Sequence, residues 1–322
     1  MPGSPSRNDV HVNKPLTNIS EAYLQQSENF VHSSVFPTVP VDKRSDLFFT
    51  FSKGDFNRDD FKLRAPGAES AMANFGLSTS SYSCDVWSLG VDLDDQTLAN
   101  ADSPLNLETS STKYLMNKLA ISMEKQWTSS FFGAAKWKGS TTGNDILTWQ
   151  WGAADSDPVS DIQLQMDAIQ KNTSYMPNTI VFGSVAFRSF CNNSSVLDRI
   201  RYTQQGTVTK DLIGGLLGLP RVFILRGVEN VAVEGQDVDM AHIGTEDDVF
   251  VCYTPDSPSL MTPSAGYGFS WNRYLAGSAG QRVHRYDRPE RRSTRIEVEA
   301  SYDYKLVSDQ LGAYAIDVDA TS

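Results

Sequence analysis

The sequence predicts an α+β fold in which two largely extended segments accompany a compact body of helices and strands. Short runs of alternating apolar and polar residues between positions 46 and 107 predict a β-hairpin. A stripe of apolar side chains at four-residue spacing after Thr109 predicts a long amphipathic helix. Helical and strand-like patterns then alternate over residues 156–280, which predicts a compact α/β unit.

Composition narrows the possible classes of function. Of the 322 residues, 40% are hydrophobic and 11% aromatic, which is typical of a folded protein. The net charge of −11 argues against a dedicated nucleic-acid binder, because binding phosphates requires clustered Lys and Arg in excess. Cys84, Cys191 and Cys252 form no disulfide or metal pattern, so a reducing compartment is expected. The sequence shows neither a leader pattern nor a long apolar run, so we expect assembly in the cytoplasm.

Residues 1–45 are predicted to form an N-terminal arm. They contain one short helical patch, around residues 19–30, and otherwise scattered apolar residues between prolines. Pro37 and Pro40 favour extended backbone, and a fully extended segment of this length reaches at most roughly 150 Å. We therefore expect the arm to lie over neighbouring subunits, and we expect deletion of residues 1–40 to leave a folded subunit that assembles poorly.

Residues 46–108 are predicted to form an extended hairpin with flanking strands. The runs LFFTFSKGDF and FKLRAPGAESAMANFGLSTSSYSCDVWSLGVDL alternate in polarity, and small residues at 65–68 mark the tip. About 40 residues in two strands extend roughly 65 Å. Because an isolated two-stranded ribbon is only marginally stable in water, we expect this ribbon to lie on a partner.

The most regular apolar pattern predicts a long helix in residues 109–155. Thr109, Ser110 and Ser111 are candidate N-caps, and Gly133 follows the last helical position. The apolar residues at four-residue spacing are Leu115, Leu119, Met123, Trp127 and Phe131. This stripe predicts that the helix docks on a sheet or a bent ribbon.

The remaining chain alternates helices and strands. Asp157, followed by proline, has the form of an N-cap and predicts a helix to about residue 171. Ser184 and Thr209 are predicted caps of two further helices, the second of which ends at Gly218. The predicted strands are residues 179–183, 221–225, 248–254 and 313–318, and an alternating segment at 282–307 that places Ile296, Val298 and Ala300 on one face.

No catalytic, cofactor-binding or metal-binding residue is predicted. The glycines of GGLLG at 214–218 lack the preceding strand and the lysine of a phosphate loop. The acidic groups at 92–95 and 246–248 fit no calcium loop and are interpreted as solvated turns, although the first could also pair with a neighbouring subunit. The histidines lie in separate segments, outside any zinc or triad motif: His11, His32, His242 and His284.

One basic cluster is unusual in so acidic a chain. Six arginines occur within fourteen residues: Arg282, Arg285, Arg288, Arg291, Arg292 and Arg295. Three interpretations remain open, namely a solvated hairpin, a strip of subunit contacts and a DNA contact. Bidentate pairing of guanidinium groups with carboxylates favours subunit contacts, whereas the interleaved Asp287 and Glu290 weaken DNA binding.

Several segments resemble those of Hong Kong 97-like phage major capsid proteins. HVNKPLTNISEAYLQQSENFVHSSVFPTVPVDKRSDLFFTFSKGDF resembles the N-terminal arm and the entry into the extended loop. RAPGAES and STSSYSCDVWSLGVDLDD resemble the loop and its return, and the helix after Thr109 resembles the spine helix. PNTIVFGSVAFRSF, VLDRIRYTQQGTVTKDLIGGLLGLPRVFI and PDSPSLMTPSAGYGFSW resemble the axial domain, and IEVEASYDYKLVSDQLGAYAID resembles the closing strands.

The resemblance implies the Hong Kong 97-like capsid fold and its division of the chain. The implied parts are an N-terminal arm (1–45), an extended loop with flanking strands (46–108), a peripheral domain with the spine helix (109–155), an axial domain (156–280), peripheral strands (281–308) and a closing strand (309–322).

The resemblance also implies a structural protein rather than an enzyme. Its copies would form pentamers and hexamers in the icosahedral shell of a virion, around double-stranded DNA that the shell contacts only by non-specific proximity. No cofactor or membrane is implied. Because arm-like sequence begins almost at Met1, a separate scaffold protein is expected, together with a portal. The sequence leaves open whether a decoration protein also binds. An encapsulin-like nanocompartment shell is the alternative, and a monomeric enzyme is a third hypothesis.

The residues expected to contact neighbouring subunits lie in the arm, the extended loop, the first acidic group and the arginine cluster. They are Phe36, Pro37, Arg64, Pro66, Asp92, Asp94, Arg288, Arg291 and Arg292.

Overall fold

In the computed structural model, the described residues form two five-stranded sheets, which one long helix joins, and two smaller two-stranded sheets. This confirms the predicted α+β class. The structure describes residues 24–51, 57–67, 69–74, 76–100, 106–133, 135–140, 147–153, 155–201, 209–258, 262–275 and 280–319.

The strands and helices follow in chain order. The strands are β1 (Thr38–Val41), β2 (Ser45–Phe51), β3 (Leu77–Ser83), β4 (Asp85–Asp94), β5 (Leu147–Thr148), β6 (Thr179–Phe182), β7 (Arg221–Ile224), β8 (Val228–Asn230), β9 (Met240–His242), β10 (Val249–Cys252), β11 (Gly266–Trp271), β12 (Gln281–Arg288), β13 (Ser293–Leu306) and β14 (Gly312–Ile316). The helices are α1 (Asp95–Ala99), α2 (Leu107–Phe131), α3 (Pro158–Thr173), α4 (Ser184–Asn192), α5 (Ser194–Ile200) and α6 (Lys210–Leu217).

Sheet I has the strand order β5-β14-β10-β6-β7. Strand β10 runs antiparallel to both β14 and β6, whereas β6 pairs in parallel with β7. Side chains of α3 to α6 pack on one face of β6 and β10, and the other face packs on α2 and on residues before β1. Both faces of these two strands are therefore buried, which explains their continuous apolar sequences.

Sheet II is organised around β13, the longest strand. It pairs with β4 along one side and with β12 and then β11 along the other, and β1 adds to β11 in parallel. Ile296, Val298 and Ala300 alternate along β13 and are buried against α2. The predicted alternation in this segment is confirmed.

The long helix is confirmed, but it begins earlier than predicted. Asn106 is the N-cap, and its side-chain oxygen accepts a hydrogen bond from the backbone N–H of Thr109 at 3.0 Å. Thr109, Ser110 and Ser111 are therefore inside the helix, and their prediction as caps is wrong. The earlier start adds Leu107 to the apolar stripe, where it packs in the cluster that holds Leu115 under the helix.

The other helix ends follow the predicted chemistry, with one exception. The side chains of Asp157 and Thr209 accept hydrogen bonds from backbone N–H groups in the first turns of α3 and α6. Gly218 closes α6 in the left-handed conformation, with a φ of 68°. The N-cap of α4 is Gly183 and not Ser184. A Cβ at Gly183 would lie 2.2 Å from a neighbouring carbonyl oxygen, so close backbone approach selects glycine there.

The second half of the predicted arm belongs to the folded body. Val31, Val35 and Phe36 lie in the core between α2 and sheet I. The described part of the predicted helical patch, residues 24–30, contains a 3-10 turn at Ser27–Asn29, and residues 1–23 lie outside the described residues. Deletion of residues 1–40 would remove core side chains, so the expectation that it leaves an intact subunit does not hold.

A buried carboxylate on α2 fixes the path of this segment. Glu124 is fully buried, and its oxygens accept hydrogen bonds from the backbone N–H groups of Val31 (3.0 Å) and His32 (2.9 Å). The His32 ring nitrogen Nδ1 lies 2.9 Å from the same carboxylate. Burying a carboxylate is costly unless several donors satisfy it. The three contacts meet that condition and attach the segment to the helix.

Strands β2 and β3 form the predicted ribbon, in an antiparallel register from Ser45 opposite Ser83 to Phe51 opposite Leu77. The return strand is shorter than predicted, because β4 leaves the ribbon and pairs with β13 over ten residues. Between β2 and β3, the described residues 57–67 and 69–74 are almost entirely exposed, and Ala68 of the predicted tip lies outside the described residues.

Sheet membership crosses the expected domain boundaries. Strand β11 lies within residues 156–280 but belongs to sheet II, whereas β5 and β14 lie outside that range and belong to sheet I. The chain passes from β10 in one sheet to β11 in the other. The two sheets therefore interlock through exchanged strands instead of forming two consecutive units.

We expect Phe36→Ala to lower the free energy of unfolding by about 3–5 kcal/mol, because it leaves a cavity against α2 and β10. Phe61→Ala is the matched control, since Phe61 is 98% exposed, and we expect it to change stability by less than about 0.5 kcal/mol. Chemical denaturation of both variants measures the difference. Equal stabilities would contradict the placement of Phe36 in the core.

Candidate subunit-contact surfaces

Three of the clustered arginines lie around Asp92 of β4. It lies opposite Arg295 of β13 in the sheet register, and its carboxylate accepts hydrogen bonds from both Nε and Nη2 of that arginine, the latter at 2.7 Å. Nη1 of Arg288 and Nη1 of Arg291 lie 3.5 and 3.7 Å from Asp92 Oδ2. The bidentate pair fastens β4 to β13, and the other two guanidinium groups surround it.

These contacts stabilise the charged forms of both partners. The hydrogen bond from Arg295 holds the pKa of the Asp92 carboxyl below its ordinary value, and the same bond raises the pKa of the Arg295 guanidinium. Arg288 also pairs with Glu290 at 2.9 Å, so two carboxylates, Asp92 and Glu290, are shared among the three guanidinium groups at this corner of sheet II.

Most of the arginine cluster pairs within the subunit. Arg282 lies 3.4 Å from Glu299, and Arg285 lies 2.9 Å from Glu108. These pairs agree with the solvated-hairpin interpretation. Arg291 is 62% exposed, and Arg292 is exposed and forms no ion pair within the described part of the chain. Of the arginines expected to contact neighbours, these two are the most available.

The acidic groups have more specific roles than solvated turns. Asp94 caps α1, because its carboxylate accepts hydrogen bonds from the first N–H groups of that helix. Asp248 is buried at the start of β10 and accepts a hydrogen bond from the Tyr314 hydroxyl at 2.6 Å. Burial raises the pKa of the Asp248 carboxyl. The prediction of a solvated turn is therefore wrong for Asp248.

Phe36 and Pro37 contact their own subunit, contrary to the expectation for them. Phe36 is 3% exposed, and its ring centroid lies 4.5 Å from that of Phe131. The Pro37 carbonyl accepts a hydrogen bond from the Gly268 N–H at 3.2 Å. The prolines that suggested an arm extending over a neighbour instead lead the chain into the edge strand β1.

The ribbon tip presents a basic and apolar surface. Arg64 and Pro66 are both exposed, and the Arg64 guanidinium donates to the Ser70 hydroxyl at 3.3 Å. Phe61 and Leu63 are fully exposed large apolar side chains in the same segment. The run FKLR in the sequence contains these apolar and basic side chains. Its alternating pattern alone, however, does not show that both faces of the ribbon are exposed to solvent.

Half-exposed apolar side chains flank α2 on sheet II. Trp87 and Leu89 of β4 lie opposite Ala300 and Val298 of β13, so they share the face that the helix covers. Helix α2 covers the middle of this face and leaves Trp87 and Leu89 about half exposed. We call these two residues the β4 shelf.

The cysteines are held in unreactive states. Burial raises the pKa of the Cys84 thiol to about 12 and that of Cys191 to about 11, so both remain protonated at neutral pH. Among the described residues, no group of His, Cys, Asp and Glu could hold a metal ion. The described helices also include none that combines the length and apolarity required to cross a bilayer.

We expect Asp92→Asn to lower the free energy of unfolding by about 1 kcal/mol at pH 7, because the paired charge is partly solvated. Since the folded-state pKa of Asp92 is lowered, its contribution is present above the ordinary carboxyl pKa of 3.8 and is lost as pH falls through the folded value. Denaturation of wild type and Asp92→Asn from pH 7 to pH 2 should show a difference that shrinks in acid. A constant difference would contradict the ion pair.

Comparison with known proteins agrees with this architecture. The chain is 26% identical over 222 residues to the major capsid protein of Burkholderia phage BcepMu, a match that covers 69% of this chain and 68% of the relative. No protein-family model matches the chain.

Three solved structures share the fold over nearly the whole chain. A phage-related protein from Bordetella bronchiseptica has a TM-score of 0.69 at 20% identity, covering 92% of this chain and 95% of that one. The capsid of cyanophage P-SCSP1u has a TM-score of 0.59 at 12% identity, covering 98% and 99%. The SrpI encapsulin of Synechococcus elongatus has a TM-score of 0.57 at 12% identity, covering 96% and 95%. This chain therefore has the Hong Kong 97-like capsid fold, which confirms the resemblance found in its sequence.

Proposed function

We propose that this chain is a major capsid protein that self-assembles into the icosahedral head shell around the double-stranded DNA genome of a tailed phage. The observation that supports this most strongly is the fold, which matches the cyanophage capsid over 98% of the chain. The relative from Burkholderia phage BcepMu supports the same function through its sequence and its name.

Within the shell, the two sheets would belong to different domains of the capsid fold. Sheet I with helices α3 to α6 corresponds to the axial domain, and sheet II with α2 corresponds to the peripheral domain. The ribbon of β2 and β3 corresponds to the extended loop. Axial domains would meet at the centres of pentamers and hexamers, and peripheral domains would form the outer part of each.

The ribbon supports the proposal because its two strands and its exposed apolar side chains require a partner for stability. A two-stranded ribbon is marginally stable alone, and Phe61 and Leu63 are fully exposed at its end. Burying each of these side chains against a neighbour contributes about 1.5–3 kcal/mol. The β4 shelf of an adjacent copy offers apolar surface of the same kind.

The charge distribution is compatible with a container for DNA. The net charge is −11, and most of the clustered arginines pair with carboxylates of the same subunit. We infer that packaged DNA is contacted weakly and only by non-specific proximity, because the chain is acidic and the paired arginines are less available to phosphates. We propose a separate scaffold protein, a portal and a decoration protein as partners, assembly in the host cytoplasm, and a final place in the virion.

An encapsulin-like nanocompartment is the second candidate, favoured by the similarity to the SrpI encapsulin. Both functions use the same shell and differ in the contents, which are a genome in one case and cargo proteins in the other. An enzymatic function would require a convergent group of titratable side chains. The perturbed groups described above, Asp92 and Asp248, are engaged in structural hydrogen bonds.

We expect the purified chain, alone or with its scaffold protein, to form closed shells with five- and six-fold clusters in electron micrographs. Shells from infected cells should contain DNA, with an absorbance ratio of nucleic acid to protein far above that of the protein alone. Shells that contain only cargo protein would favour the nanocompartment. A persistent monomer of 35.6 kDa under assembly conditions would refute both.

We expect Phe61→Ser combined with Leu63→Ser to reduce shell yield about tenfold or more, because two anchors are lost from every copy. The subunit should unfold at the same denaturant concentration as wild type, since both side chains are exposed in it. Val86→Ser combined with Leu197→Ser removes two exposed apolar residues elsewhere and serves as the control. Wild-type shell yield from the ribbon variant would contradict the proposed role of the tip.

A further inference from the structure

A small hairpin outside the ribbon also carries exposed apolar side chains. Strands β8 and β9 pair in antiparallel register, and the turn between them includes Gly235 with a φ of 91°. Val233 and Val238 near the turn are 77% and 73% exposed, and Val231 and Met240 are more than half exposed. Several apolar side chains exposed together on one protrusion indicate an interaction surface.

The same hairpin is acidic. Glu234, Asp237 and Asp239 are exposed around the valines. No Lys or Arg occurs between Arg226 and Arg273 in the sequence. A surface complementary to this hairpin must therefore combine apolar side chains with an excess of positive charge.

The free edge of sheet II has that composition. Tyr286 of β12 is about half exposed and lies opposite Arg295 of β13, on the same face of sheet II. The turn that follows β12 presents Arg291 and Arg292, which are both exposed, and Arg292 forms no ion pair within the described residues. We call Tyr286, Arg291 and Arg292 the β12 edge.

Within one subunit, ion pairs hold the hairpin and the β12 edge at different positions along α2. Lys125 pairs with Glu229 at the base of the hairpin at 2.8 Å, whereas Glu108 pairs with Arg285 of β12 at 2.9 Å. The helical residues between Glu108 and Lys125 span about 25 Å. The hairpin projects about 17 Å from Asn230 to its turn. A full contact between the two surfaces therefore takes two copies of the chain.

We propose that the β8–β9 hairpin of one copy docks on the β12 edge of a second copy, with the valines against Tyr286 and the acidic residues against Arg291 and Arg292. Such a contact joins different patches of identical chains, and it closes into rings when the rotation between copies allows. Its place within a shell rests on the proposed function, but the contact itself requires only a second copy.

A charge exchange tests the contact. We expect Asp237→Lys with Asp239→Lys to reduce assembly about tenfold or more, and Arg291→Glu with Arg292→Glu to do the same, because each opposes like charges. Combining all four substitutions re-creates opposite charges and should restore assembly to within about twofold of wild type. Shells are counted by sedimentation and electron microscopy, and circular dichroism checks that each variant folds.

Asp167→Lys with Asp198→Lys is the matched control, since both aspartates are exposed on other helices. Combined with Arg291→Glu and Arg292→Glu, it gives the same net charge as the four-fold exchange but should leave assembly impaired. Wild-type assembly by the hairpin pair, or no better recovery from the exchange than from this control combination, would overturn the inference.

A second measurement covers variants that fail to fold. Asp237→Cys with Arg292→Cys should form disulfides between subunits, visible as dimers and larger species on a non-reducing gel, and a wild-type sample with its native cysteines is the reference. Bonds only within one chain, or none, would overturn the contact. If wild type forms no shells yet this variant gives intersubunit bonds, the proposed function fails and the docking inference stands.

Discussion

The burial of the C-terminal half of α2 between the two sheets is the constraint on which the rest of the structure depends. Trp127 and Phe131 are fully buried, in a cluster with Phe36 before β1 and Phe250 of sheet I. Phe131 also approaches so closely to the start of β11 that a Cβ at Gly266 would lie 2.5 Å from its ring. One stretch of helix therefore holds both sheets and the segment before β1, and the ribbon projects from the body that it organises.

Two aspartates of this body lie in different electrostatic environments, and their pKa values shift in opposite directions. Arg295 lowers the pKa of Asp92, whereas burial raises that of Asp248. The Asp92 contribution to stability is present above the unfolded pKa and is lost as pH falls through the folded value. The Asp248 contribution has the opposite sign, because it is present below the unfolded pKa and is lost as pH rises through the folded value. Acid therefore weakens the β4 corner of sheet II while it favours the β10 corner of sheet I.

Local pattern predicted much of the fold, and long-range pairing accounts for what it missed. The stripe from Leu115 to Phe131 and the caps at Asp157 and Thr209 depend on residues within one or two turns, so sequence periodicity reveals them. The attachment of Val31 to Glu124 spans 93 positions, and β4 pairs with a strand about 200 residues later. A local sequence pattern does not reveal partners that lie so far apart along the chain. Phe36, an expected contact residue, is instead buried in its own subunit, whereas Asp92 pairs with Arg295 of the same chain and its contact with a neighbour stays a prediction.

Two projections and two surfaces of sheet II remain exposed after these internal contacts, and all four carry apolar side chains. The ribbon tip and the β8–β9 hairpin present apolar side chains, while the β4 shelf and the β12 edge present apolar surface on sheet II. Each projection offers only a few exposed apolar side chains, whereas a standard stable interface buries roughly 1,600 Å². In a closed shell every copy both gives and receives each contact, so individually weak patches act together on one subunit. Rigid attachment of both projections to one body then matters more than the strength of any single patch, since the patches engage simultaneously only if their relative positions are fixed. Phe48 and Tyr82 of the ribbon pack on Phe269 of sheet II, and Glu229 of the hairpin pairs with Lys125 of α2. Both projections are therefore attached to the body that Trp127 and Phe131 hold together, which links the core of the subunit to its capacity to assemble.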